Sequence, residues 1–319
     1  MAYDESNIRT LSSIEHIRQR PGMYIGRLGN GSHPEDGIYI LLKEVIDNSI
    51  DEFMEGNGSK IIVTLDGQKC TVRDYGRGIP LNKLIECVSV INTGAKYDNE
   101  AFQYSVGLNG VGTKAVNALS SYFEITSWRE GEYMNAVFER GELVHKEKGK
   151  GEEPNGTFVS FIPDDDPAIF GKYTYNEDYI KERLWNYAYL NKGLIISFNG
   201  KTIKSAGGLM DLVKKILGDD GLYPLINYKS RNLEFSFTHT NGYGESYHSY
   251  VNGQYTSDGG THEAAFKEGV LKGINEYFHK SWAAPEIRDG IVATVAIKVM
   301  NPVFESQTKN KLGNTDVRA

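Results

Sequence analysis

The chain has 319 residues, enough for about two domains and for a sizeable buried core. Apolar residues make up 39% and charged residues 24%, and 35 basic against 42 acidic side chains leave a net charge of −7, a balance that argues against coating nucleic acid by general electrostatics. Two cysteines, Cys70 and Cys87, exclude a disulfide framework and a structural zinc site and fit a reducing cytoplasm.

The start, Met1-Ala2-Tyr3-Asp4-Glu5, is polar and acidic, unlike a secretory signal. Nowhere does an apolar run approach the roughly 18 residues of a membrane span. Residues 1–35 are polar and close on Gly29-Asn30-Gly31-Ser32. Patterning predicts a helix over 36–55, with Leu42, Ile46, Ile50 and Phe53 as its apolar stripe and Gly56-Asn57-Gly58 as its stop. Strands are expected over 60–65 and 69–74, turning at Asp66-Gly67, and then a helix over 81–91. Glycine and asparagine punctuate 93–112, which reads as a long loop before a helix over 113–120. Strands follow over 122–128, 133–139, 157–162 and 194–198, interrupted by a helix over 177–190. Past the Gly-Asp-Asp-Gly run at 218–221 a second set begins, with strands over 233–238, 246–251 and 291–299 and a helix over 261–278. The expectation is an α+β chain of two sandwiched layers, twice over, with domains over 1–218 and 219–319.

Four short constellations can carry chemistry. Glu44 and Asn48 stand one helical turn apart, on a face that the periodicity sets opposite the apolar stripe. A carboxylate beside a carboxamide suits a water-activating base next to a hard cation such as Mg²⁺. The same spacing also fits a solvated acidic face shared with Asp51, Glu52 and Glu55. Asp74 ends a strand just before Gly76-Arg77-Gly78-Ile79-Pro80. Its carboxylate can accept from an exocyclic amine such as that of adenine, while the glycines permit close ligand approach; a plain β-to-α turn is the equal alternative.

The third constellation is Gly107-Leu108-Asn109-Gly110-Val111-Gly112-Thr113-Lys114, directly before a helix. Backbone N–H groups at such a start can cradle phosphates. The order Thr-Lys misses the P-loop pattern, and no third glycine completes G-x-G-x-x-G. The fourth, Gln307-Thr308-Lys309-Asn310-Lys311-Leu312, offers a lysine as a point charge for a terminal phosphate, or is an exposed basic tail.

In this order the motifs resemble the N-terminal ATPase region of the B subunit of bacterial type IIA DNA topoisomerases. The resemblance rests on Arg18-Gln19-Arg20-Pro21-Gly22-Met23-Tyr24-Ile25-Gly26, on 44–48, 74–80 and 107–112, on Gly156-Thr157, on Asp258-Gly259-Gly260-Thr261-His262 and on Gln307-Thr308-Lys309. It covers essentially the whole chain. The spelling of 106–112 and the run Asp36-Gly37-Ile38-Tyr39 look closer to the B subunit of topoisomerase IV than to gyrase B.

The resemblance implies a two-layer α/β sandwich ATPase domain of the GHKL (Bergerat) type, followed by a partial transducer domain of the ribosomal protein S5 domain 2-like type. It implies Glu44 as the general base, Asn48 as the Mg²⁺ ligand, and Asp74 as the reader of the adenine amine through a water shared with Thr157. Gly78 and Ile79 would line the adenine pocket, with Arg77 at its mouth. Lys96 and the loop with Gly107, Leu108, Asn109, Gly110, Val111 and Gly112 would form a lid over the triphosphate, and Gln307 and Lys309 would reach the γ-phosphate. Tyr3 and Ile8 fit an arm that wraps onto a second copy, Tyr3 touching the partner's nucleotide. Phe102 stands where the family would carry a tyrosine on the adenine base, and Asn109 where many relatives carry histidine; neither removes the machinery.

The implied cofactors are ATP and Mg²⁺. The implied partners are a second copy, an A-type subunit carrying the DNA-cleaving tyrosine, and DNA, with no membrane and a cytoplasmic setting. The chain is expected to be a fragment of a longer subunit, hydrolysing ATP without cutting DNA by itself. The alternatives are another ATPase of the superfamily, a module that holds nucleotide without turnover, and a P-loop kinase in which Lys114 is essential.

Overall fold

A Ser12–Glu15 capping box starts α1 (Ser13–Gln19), and α2 (Gly22–Ile25) follows Pro21, so two short helices stand in a segment expected only to be polar. The computed structural model describes residues 8, 10–95, 104–105, 110–306 and 308–318. Helix α3 (Gly37–Met54) comes next, then the hairpin of β1 (Lys60–Asp66) and β2 (Lys69–Asp74), in register from Ile61 opposite Asp74 to Asp66 opposite Lys69. The helix expected over 81–91 is a 3-10 turn at Leu81–Lys83 running into α4 (Leu84–Ser89). Helix α5 (Gly112–Ala118) then leads almost directly into the antiparallel run β3 (Ser120–Arg129), β4 (Glu132–Glu139), β5 (Glu142–Lys150) and β6 (Gly156–Pro163).

After α6 (Glu177–Leu190), strands β7 (Ile195–Phe198) and β8 (Lys201–Ile203) complete an eight-stranded sheet of order β5-β4-β3-β6-β2-β1-β7-β8. Strand β5, which the patterning misses, is exposed along nearly its whole length. An edge strand solvated on both faces has no alternation to read, and its lysines guard the open edge.

The rest comprises α7 (Leu209–Leu217), β9 (Ile226–Lys229), β10 (Leu233–His239), β11 (Ser246–Val251), β12 (Gln254–Tyr255), α8 (Thr261–Phe278), α9 (Ala284–Arg288) and β13 (Ile291–Ile297). A five-stranded sheet runs β12-β11-β13-β10-β9, with β11 and β13 parallel. Its core is Phe237, Ile291, Ala293 and Val295 against Phe266 of α8.

The described residues divide into two compact units: one reaches to residue 180 and takes in 197–201, the other holds 104–105, 181–196 and the residues from 202 onward. The boundary expected at 218 falls inside the second unit. Tyr189, Leu209, Leu212 and Tyr250 bury one another there, so most of α6 and all of α7 pack with the second sheet. Among the described residues no helix is long and apolar enough to cross a membrane.

Helix α3 departs most from its expected form. It is buried without a break from Gly37 to Asp47, and again at Ser49, Ile50 and Asp51. The reason is that α2, α5, β2 and β6 all pack against it, leaving no broad face for water.

Candidate active site

Strand β2 ends at Asp74, whose carboxylate is buried. Its Oδ1 accepts the backbone N–H of Gly76 at 2.9 Å and of Thr157 at 3.2 Å, and its Oδ2 accepts the Ser49 hydroxyl at 3.2 Å. A helix and two strands thus converge on one carboxylate. Two oxygens carry about four lone-pair sites, so these three bonds leave acceptor capacity for a ligand. Burial raises the Asp74 pKa above the ordinary aspartate value, against the opposing pull of the Gly76 and Thr157 N–H donors.

Thr157 reaches Asp74 because Gly156 precedes it at φ +136°, where a Cβ would overlap the Asp74 carbonyl oxygen and Arg73 Nη1. The Arg73 guanidinium lies over the rings of both Tyr75 and Trp128, 4.5 and 4.4 Å from their centroids. It donates to the carbonyl oxygens of Asp74 and, at 2.6 Å, Pro154.

The turn after Asp74 folds back on β3. Gly78 has φ +76°, and a Cβ there would come within 2.5 Å of the Trp128 carbonyl oxygen. The Ser127 hydroxyl donates to the Ile79 carbonyl at 2.8 Å. Arg77 is held by Glu52, through Nε at 3.0 Å, Nη2 at 2.9 Å and its backbone N–H at 2.9 Å. Glu52 is therefore the partner of Arg77 as well as a member of the acidic face.

Glu44, on α3, is only 8% exposed. The start of α5 lies against it, and a Cβ on Gly112 would overlap Glu44 Oε2. The Asn48 side-chain NH₂ donates to the Glu44 carbonyl and to the Thr113 hydroxyl oxygen, each at 2.9 Å. Asp47, one residue before Asn48, pairs with Lys43 at 2.5 Å. The solvated-face reading fails here, because Glu44, Asp47 and Asp51 are all buried. Lys114, essential in the P-loop alternative, is buried and donates from Nζ to the Thr93 carbonyl at 2.6 Å.

In the second unit Lys309 is 4% exposed, at φ +59°, so it is not on an exposed tail. The following residues are sewn to the start of α8. Asp258 N–H donates to Asn310 O at 3.0 Å, Thr261 N–H to Leu312 O at 3.1 Å, and Leu312 N–H to Gly259 O at 3.2 Å. At Gly260, φ +138°, a Cβ would come within 2.6 Å of both the N and the O of Leu312. Burial lowers the His262 pKa to about 4, and its Nε2 lies 3.2 Å from the Thr256 hydroxyl.

Gly110, at φ +58°, and Val111, the cap of α5, lead into the turn facing Glu44. Tyr3, Lys96, Phe102, Gly107, Leu108, Asn109 and Gln307 lie outside the described residues. Among the described residues no group of three or more His, Cys, Asp or Glu is placed to hold a metal ion. A Mg²⁺ here would rest on one or two protein oxygens and on phosphate, the usual arrangement for this ion. The sequence alone leaves out Ser49, Arg73 and Ser127, and gives Glu52 only as part of an acidic face and Thr113 only as part of the run before α5. A signal existed for Ser49 and Glu52, which follow Asn48 on the same helix; the others come together only in the fold.

A family model described as histidine kinase-, DNA gyrase B- and HSP90-like ATPase matches residues 33–167, and one described as DNA gyrase B matches residues 177–319. The chain is 56% identical over 317 residues to the B subunit of DNA topoisomerase 4 from Borreliella burgdorferi, covering 99% of this chain and 53% of that protein. It is 37% identical over 354 residues to the B subunit of DNA gyrase from Thermotoga maritima, covering 99% and 54%. The crystal structure of the 43K ATPase domain of Thermus thermophilus gyrase B in complex with an aminocoumarin aligns with a TM-score of 0.75 at 30% identity, over 97% of this chain and 86% of that one. The chain spans about half the length of the curated relatives it matches.

Proposed function

Because the chain belongs to the ATPase region of the B subunits of type IIA DNA topoisomerases, we propose that it binds ATP and hydrolyses it. In the whole protein this step would drive two copies to close around DNA and couple closure to strand passage. The identity to the topoisomerase 4 protein, 56% against 37% for the gyrase protein, favours the topoisomerase IV type.

The observation that carries the reading is the buried Glu44 carboxylate against Gly112, one turn from Asn48 and at the start of α5. Phosphoryl transfer to water requires mainly positioning and charge compensation. Asp74 accepts the adenine amine, directly and through a water shared with Thr157. Gly78 and Ile79 line the adenine pocket, and Arg77, held by Glu52, borders it. Residues 107–112 and Lys96 enclose the triphosphate. Glu44 takes a proton from the attacking water. The Asn48 carboxamide oxygen would ligate Mg²⁺, which when bound would neutralise charge on the phosphate oxygens. Lys309 and Gln307 belong to the γ-phosphate, so closure follows ATP rather than ADP. Tyr3 belongs to the arm that reaches a second copy. The first unit is the ATP-binding domain and the second the transducer; the whole protein also engages an A-type subunit and DNA.

Glu44→Gln tests the assignment by Mg²⁺-dependent ATP hydrolysis beside binding of a non-hydrolysable analogue. Turnover should fall about 10²–10⁴-fold, with analogue affinity within about threefold of wild type. Unchanged turnover would move the base elsewhere.

A further inference from the structure

The Asn48–Thr113 hydrogen bond joins residues 65 apart in sequence, one on α3 and one on α5. A primary amide has two N–H donors on one side and an acceptor oxygen on the other. The Glu44 carbonyl can only accept, so the NH₂ end must face it. Within a helix that carbonyl also serves the backbone N–H four residues on, so it shares its lone pairs and holds the side chain weakly. The Thr113 hydroxyl oxygen receives the second N–H. With both donors occupied on that side, the carboxamide oxygen is turned the other way.

We infer that Thr113 is a positioning residue: its hydroxyl holds the Asn48 carboxamide in place while the Glu44 carbonyl, which can only accept, sets its polarity, so that oxygen meets the metal ion accompanying the nucleotide. This rests on the reading of Asn48 as a Mg²⁺ ligand. A flipped amide would present two N–H groups to a cation, a repulsive arrangement. Without the hydroxyl, the carboxamide loses its anchor on α5 and is held less firmly in that orientation. The bond also ties the ligand's orientation to the first turn of α5, whose Gly112 lies against Glu44. The base and the metal ligand are therefore both set by the same helix start. Thr113 belongs to the Thr-Lys pair that misses the P-loop pattern, and its bond to Asn48 gives it a different function, orientation of that side chain.

Thr113→Val keeps the branched shape and removes the hydroxyl. Mn²⁺ affinity, read by electron paramagnetic resonance with a non-hydrolysable ATP analogue bound, should weaken about three- to tenfold, the range of one lost net hydrogen bond. The half-saturating Mg²⁺ for hydrolysis should rise by a similar factor. Analogue affinity in EDTA should stay at the wild-type value, and Thr113→Ser should restore Mn²⁺ binding to within about twofold. If the valine variant unfolds, Thr113→Ala carries the same expectations, since alanine favours the helix. Wild-type Mn²⁺ affinity in the valine or alanine variant would overturn the inference. So would an equal loss of analogue affinity in EDTA, which would mark a packing role. Wild-type protein that binds the analogue but shows no Mn²⁺ with it would overturn the Mg²⁺ assignment of Asn48 itself, and Thr113's role with it.

Discussion

Asp74 has three donors, and burial still holds its pKa above the ordinary aspartate value. In the proposed function, only the ionised carboxylate is a full acceptor for the adenine amine. ATP affinity should therefore weaken on acidification at a higher pH than an ordinary aspartate would dictate. Stability moves the opposite way. A carboxyl with a raised folded pKa contributes stability below its unfolded pKa and loses it as pH rises through the folded one. Asp74→Asn should weaken ATP binding about tenfold or more and remove this part of the pH profile. Affinity profiles of wild type and Asp74→Asn that run parallel from neutral to acid pH would contradict it. Asp74, Glu44 and Asn48 are legible from short motifs, since each sits beside a telling neighbour in sequence. Thr113 and Ser127 are not, because their partners stand 65 and 48 residues away, and Thr157, 83 residues from Asp74, enters only through the family resemblance. Hydrogen bonds across the fold leave no local spacing to read.

Most elements follow from periodicity, and the failures have physical causes. The apolar stripe on α3 correctly marks a helix, but a helix wrapped on several sides buries its charged residues too, so the stripe alone overstates its solvated face. Strand β5 fails for the opposite reason, having no buried face. The start of α8 is a case where glycine is required by close approach: Gly260 lets the backbone of Leu312 lie alongside. Gly260→Ala should loosen the residues after Lys309 and lower turnover about tenfold or more, with ATP affinity little changed; a loss of a few kcal/mol in stability is expected as well. Gly269→Ala, on the same helix where a Cβ meets nothing within 4 Å, should leave turnover unchanged and stabilise by up to about 1 kcal/mol. Urea melts and steady-state hydrolysis of both variants check the pair. Equal effects at the two glycines would argue against a dock at Gly260.

The whole molecule is two units, and the boundary expected from the Gly-Asp-Asp-Gly run is displaced because a loop signal marks a turn without saying which sheet the preceding helices cover. Tyr189, Leu209 and Leu212 choose the second sheet through Tyr250. At this scale the proposed function predicts assembly: sedimentation with a non-hydrolysable ATP analogue should give a dimer, and with ADP a monomer. A monomer under both conditions would show that residues 1–319 do not close by themselves. The Gly260–Leu312 seam has a mechanical meaning as well. It fastens the Lys309 loop to one end of α8, an 18-residue rod about 27 Å long. The far end of that rod carries the exposed, ring-packed Tyr277 and Phe278, with Trp282 just beyond. A stiff rod turns a small tilt at its anchored end into a larger sweep at its tip, so an ångström gained or lost at the lysine would be amplified where those three rings meet the solvent.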